Sequence, residues 1–128
     1  MELDILMFKS IHSDIGRPFV ALKGSNEKPF APLQIIEDIE KSNKPDEIGH
    51  DEIQCVITTH FLNLLNDGFE HQTIEALIDN ATMGFKTAGS DCYDWVVLLN
   101  QQRRALNSAN TIYEFYSLKN QDKNKIQR

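Results

Sequence analysis

The sequence predicts a mostly helical α+β fold, with about four helices and a small antiparallel sheet of two or three strands drawn from the terminal segments. Three observations lead there. The first two dozen residues hold two short stretches with strand-like alternation. Between residues 32 and 106 the apolar positions recur at intervals of three and four, the helical period. Residues 111–118, Thr-Ile-Tyr-Glu-Phe-Tyr-Ser-Leu, are rich in β-branched and aromatic side chains, which favour a strand joining the N-terminal pair. The alternative is an all-α bundle with an N-terminal hairpin, because Ala105, Ala109, Ile112, Tyr113 and Tyr116 also prolong the last helical stripe.

The elements follow in order. In residues 2–9, Leu3, Ile5 and Met7 fall on one side and Glu2 and Asp4 on the other, a strand pattern. Ser, His, Asp, Gly and Arg at 10–17 supply loop chemistry. Pro18 to Lys23, followed by Gly24, reads as a second strand closed by a turn, with Pro18 at its start, where no ladder donor is lost. Pro32 suits the first turn of a helix, because its missing N–H has no intrahelical partner there. Leu33, Ile36 and Ile39 give that helix one apolar stripe, ending near Lys41.

After a connector with Pro45 and Gly49, Asp51 and Glu52 place negative charge at a helix N-terminus. Ile53, Val56, Ile57, Phe61, Leu64 and Leu65 then form one stripe, stopped by Asn66-Asp67-Gly68. Ile74, Leu77, Ile78, Ala81 and Phe85 make the next stripe, which stops near Gly89 and is weakened by Gly84. Ser90 is expected to cap the last helix, which carries Trp95, Leu98, Leu99, Gln102 and Leu106. Short connections among these three helices predict antiparallel neighbours.

A chain of 128 residues suits one domain, expected over residues 1–118, with 119–128 a frayed, polar, basic tail. It holds no apolar run near the roughly 20 residues that a membrane span requires, and its first residues lack the basic flank of a signal peptide. A cytoplasmic protein without membrane contact is expected. Cys55 and Cys92 fit that compartment as buried free thiols.

Chemical signatures are sparse. Neither a phosphate-binding G-x-x-x-x-G-K-[ST] loop nor a G-x-G-x-x-G turn occurs, and the single glycine of Leu22-Lys23-Gly24-Ser25 is simply a turn. His12, His50, His60 and His71 include no pair four apart, and neither cysteine has a histidine at ligand spacing, so neither metal nor cofactor is expected. His60, in mid-helix beside Phe61, reads as a packed residue, and His71 as a surface or capping residue. Glu75 and Asp79 share a helix face, where carboxylates are normally solvated. Cys92 near a helix start, beside Trp95, reads as a small hydrophobe rather than a nucleophile.

Charge is the most informative feature. Residues 1–102 hold 17 Asp/Glu against 7 Lys/Arg, a balance of −10, whereas residues 103–128 hold 6 Lys/Arg against 2 acids, a balance of +4. Seven acids crowd residues 37–52: Glu37, Asp38, Glu40, Asp46, Glu47, Asp51 and Glu52. An acidic field of this kind steers a basic protein surface and speeds its association. The sequence therefore points to a non-enzymatic protein-binding module, an acidic inhibitor or immunity-type antagonist that docks those carboxylates on a basic partner. Two alternatives come from other classes. One is a small nucleic-acid-binding regulator using Arg103, Arg104, Lys119, Lys123 and Lys125. The other is a small enzyme with a dispersed site drawn from His60, Glu75, Asp79 and Cys92. Trp95, Tyr113, Phe115 and Tyr116 group late in the chain, and any surplus left outside the core would favour homo-oligomers.

Overall fold

The computed structural model describes residues 2–9, 16–27, 29–42 and 50–126, with side chains for all of these except residue 50 and residues 120–126. Two strands come first, β1 (Leu3–Phe8) and β2 (Arg17–Leu22). Four helices follow: α1 (Ala31–Ser42), α2 (His50–Asn66), α3 (His71–Ala88) and α4 (Tyr93–Ile126). The predominantly helical α+β class read from the sequence is the class observed, with a two-stranded sheet.

The strands pair antiparallel from Leu3 opposite Leu22 to Phe8 opposite Arg17. The pairing continues one step further, where the Lys23 N–H donates to the Glu2 carbonyl at 2.9 Å. Gly24 makes the expected turn with φ +88°, a conformation that costs an L side chain and costs glycine little. Val20 and Ala21 point to opposite faces of β2, and both are fully buried. The sheet is therefore a central layer with apolar cover on each side. Phe8, Phe19 and Phe30 pack together on one face, with centroid separations of 4.5 Å between Phe8 and Phe30 and 5.3 Å between Phe19 and Phe30.

Helix α2 ends in a Schellman motif: Gly68, at φ +103°, donates to the Leu65 carbonyl, and the next amide, Phe69, donates back to Leu64. Helix α3 runs through Gly84, whose surroundings are open, and stops at Gly89 with φ +118°. The expected Ser90 cap is not formed. Ser90–Cys92 instead makes a 3-10 turn with no side-chain cap bond, and α4 starts at Tyr93.

Helix α4 packs on both α2 and α3 and against β2, rather than α2 and α3 packing chiefly on each other. Its core contributions are Leu99, Ala105, Leu106 and Ala109, all fully buried, facing Ile57 and Phe61 of α2 and Ile74 and Ile78 of α3 in one cluster. The two alanines let helix backbones approach closely, and substituting a larger residue there would overpack the seam.

The strand expected at 111–118 is not a strand. Those residues are helical and belong to α4, which continues through Ile126 and so also takes in residues 119–126, read from sequence as a frayed tail. The reason lies on β2. Its outer edge, where a third strand would pair, is closed by side chains. Gln102 of α4 accepts the Val20 N–H on Oε1 at 3.1 Å and donates its Nε2–H to the Pro18 carbonyl at 2.8 Å. His60 of α2 binds the Val20 carbonyl through Nε2 at 2.7 Å. Pro18 has no N–H to satisfy. With this edge occupied, residues 111–118 have no ladder to join on β2 and extend the helix that carries them. Among the described residues no helix is long and apolar enough to cross a membrane.

Candidate binding surface

The amphipathic period of α1 buries Leu33 and Ile36 against α2 and leaves Ile35 about half exposed. On α2, Ile53 and Ile57 are buried, whereas Cys55 and Thr59 face outward. Between these two outward faces runs an open groove of about 450 Å³, within the size range of ligand-binding clefts. Pro32 and Ile35 line one wall, and Cys55, Val56, Thr59 and His60 line the other. One helical turn beyond Ile35 stands Asp38, and one turn before Cys55 stands Glu52, both exposed. Each wall of the apolar trough thus has an exposed carboxylate one helical turn from a lining residue.

His60 forms the junction of groove and core. Its ring lies among Phe19, Phe30 and Phe61, at centroid distances of 5.1, 5.3 and 5.5 Å. Burial pushes the imidazole pKa below its ordinary value, partly opposed by the Val20 carbonyl. A carbonyl only accepts, so Nε2 carries the proton of the neutral ring and Nδ1 is left as an acceptor. A second cavity, of about 20 Å³, lies among Pro18, Leu33, Ile36, Ile57 and Gln102, with room for a water at most. Beside it, Arg17 pairs with Glu40: Nη2 donates to Oε2 at 2.9 Å, and Nη1 lies 2.7 Å from Oε1.

The seven acids of residues 37–52 do not share one open face. Glu37 is buried at 3% exposure, so its carboxylate is withdrawn from any docking surface. Glu40 is committed to Arg17. Asp38, Asp51 and Glu52 are exposed, and Asp46 and Glu47 lie outside the described residues.

The basic set is also divided. Arg103 reaches Asp79 at 3.5 Å, Arg104 and Lys119 are exposed, and the side chains of Lys123 and Lys125 lie outside the described residues. Glu75 and Asp79, which share a helix face, have different neighbours: Glu75 lies 3.8 Å from the His71 imidazole, and Asp79 faces Arg103. Cys92 is a half-buried free thiol, but Cys55 is exposed, contrary to the expectation that both are buried. Helix α2 turns Cys55 into the groove because its apolar stripe is carried by Ile53, Val56 and Ile57 instead. Among the described residues no group of three or more His, Cys, Asp or Glu is arranged to hold a metal.

Two groups escaped sequence reading. The first is the clamp of Gln102 and His60 on β2, because polar residues on helical stripes carry no mark of a distant backbone partner. The second is the groove, which had one legible sign: Ile35 is a large apolar residue off the buried stripe of its helix. Comparisons of the chain with protein-family models, curated proteins and solved structures found no match.

Proposed function

We propose that this chain is a non-enzymatic protein-binding module whose α1/α2 groove receives an amphipathic, basic helix of a partner. The observation that carries this reading is the groove itself: an open apolar trough walled by Ile35 and Val56, with the Asp38 and Glu52 carboxylates each one helical turn from a lining residue. Helix-in-groove recognition uses that combination, apolar anchors every three or four residues for affinity and flanking charges for orientation. An acidic antagonist of a basic target would work this way, by occupying the target's own helix. Of the ionisable groups weighed for catalysis, the His60 Nε2 holds Val20 and Asp79 faces Arg103.

The test is a selection from a displayed library of helical peptides against the full chain. The expected winners carry large apolar residues at helical spacing together with Lys or Arg. Their binding weakens at least tenfold on Ile35→Glu, and also falls with the double change Asp38→Lys plus Glu52→Lys and with added salt. Winners indifferent to Ile35→Glu, or no enrichment at all, overturn the proposal.

A further inference from the structure

Helix α4 is far longer than the body it packs on. At 1.5 Å per residue its 34 residues span about 51 Å, while α2, with 17 residues, spans about 26 Å. The last fully buried side chain on α4 is Ala109, and Tyr113 still packs on the core in part. Past Ala109 the helix overhangs, and its exposed face is apolar: Ile112 is 37% exposed, Phe115 62%, Tyr116 57% and Leu118 62%. Four large apolar side chains within two turns form a patch of the kind that marks an interaction site.

We infer that this overhang seats in the α1/α2 groove of a second copy of the chain. This rests on the reading of that groove as a helix-docking site and names its occupant. Charge selects the occupant. The overhang beyond Ala109 carries Lys119, Lys123, Lys125 and Arg128 against Glu114 and Asp122, a balance of +2, whereas residues 1–109, groove included, have −8. Two overhangs laid side by side would bring like charges together, whereas an overhang in a groove brings Lys119 toward Asp38 and Glu52. Continuity selects a second copy over the same one. Helix α4 is unbroken to Ile126, so its end cannot fold back onto its own groove.

Reciprocal seating closes a twofold dimer with both overhangs covered. The seating would withdraw the four exposed apolar side chains of each overhang from water.

Sedimentation velocity of the full chain at low salt tests this. The wild-type chain is expected to form a dimer that weakens as salt rises from about 50 to 500 mM. The overhang variant Phe115→Glu plus Leu118→Glu and the groove variant Ile35→Glu each raise the dimer dissociation constant at least tenfold. All three positions are exposed, so circular dichroism is expected to show intact folds. An equimolar mixture of the two variants regains a heterodimer, because it contains one intact groove and one intact overhang. A chain that stays monomeric at millimolar concentration overturns the inference. So does a dimer that survives Ile35→Glu but is lost with the overhang variant, since α4 would then pair with α4. Neither result touches peptide binding in the groove, which the selection reads separately.

Discussion

Replacing Gln102 with leucine removes two of the three side-chain hydrogen bonds that close the outer edge of β2. The Val20 N–H at 3.1 Å and the Pro18 carbonyl at 2.8 Å lose their partner. Gln102 itself is 2% exposed, so water does not replace it freely. A buried polar group left unpaired costs about 1–3 kcal/mol, and two of them cost about 2–6 kcal/mol. The added apolar contact of leucine offsets about 1 kcal/mol of this. The expected loss is therefore roughly 1–5 kcal/mol, against the ~5–15 kcal/mol that holds a domain folded.

Urea unfolding followed by circular dichroism measures it, as a lowered midpoint at unchanged slope. Gln102→Glu separates this mechanism from mere loss of packing. At pH 7 a carboxylate there still accepts from Val20 but confronts the Pro18 carbonyl, acceptor against acceptor, in a dry site. Protonation, which burial and the facing carbonyl shift to higher pH than for an exposed carboxyl, gives the acid an O–H to donate to Pro18 and restores both bonds. The gap between Gln102→Glu and wild type should accordingly narrow on acidification, while the gap for Gln102→Leu stays constant. A leucine variant within 0.5 kcal/mol of wild type, or a glutamate gap independent of pH, refutes the clamp.

The remaining predictions concern His60 and the thiols. Because burial lowers the His60 pKa in the folded chain, the unfolded chain takes up the proton first as pH falls. The His60 contribution is fully present above the unfolded value near 6.5 and is lost as pH drops through the lowered folded value. Unfolding midpoints from pH 8 to pH 5 should fall less steeply in His60→Gln than in wild type, and equal slopes would contradict the assignment. Of the two free thiols, the exposed Cys55 should react with an aromatic disulfide reagent before the half-buried Cys92. Cys55→Ser should abolish the fast phase, and a fast phase that persists in that variant would refute the placement of Cys55 at the groove. An occupied groove should also slow that phase.

Most of the fold was legible because it is written in period. The stripe Ile53, Ile57, Phe61 and Leu64 needs one face of one helix to be understood, and the Schellman stop at Gly68 needs only local backbone chemistry. Pro18 and Pro32 mark a strand start and a helix start for reasons contained in the proline ring. What was not legible depends on partners far along the chain. Gln102 lies 82 residues from Val20, and nothing in its neighbourhood announces that its amide stands in for a strand. The acidic run at 37–52 looked like one face because charge is counted along the sequence. Burial divides it, since Glu37 and Asp38 are adjacent in the chain and lie on opposite sides of the protein surface.

Residues 110–118 concentrate the conflict between local and global preference. Asn, Thr, Ile, Tyr, Phe and Ser are poor helix formers, and the same residues suit a strand. They are nonetheless helical, because α4 is already nucleated by its packed half and propagation adds one hydrogen bond per residue. Core packing does not account for their composition, since among the described side chains beyond Ala109 only Tyr113 joins the apolar core, in part. Nor does solubility, since Phe115, Tyr116 and Leu118 are each more than half exposed, where charged residues would serve better. A segment that suits neither its own secondary structure nor water fits the contact with a second copy proposed above. The side-chain closure of β2 makes that contact available: by filling the ladder position with Gln102 and His60, the fold leaves residues 110–118 free to project as a helix rather than finish the sheet.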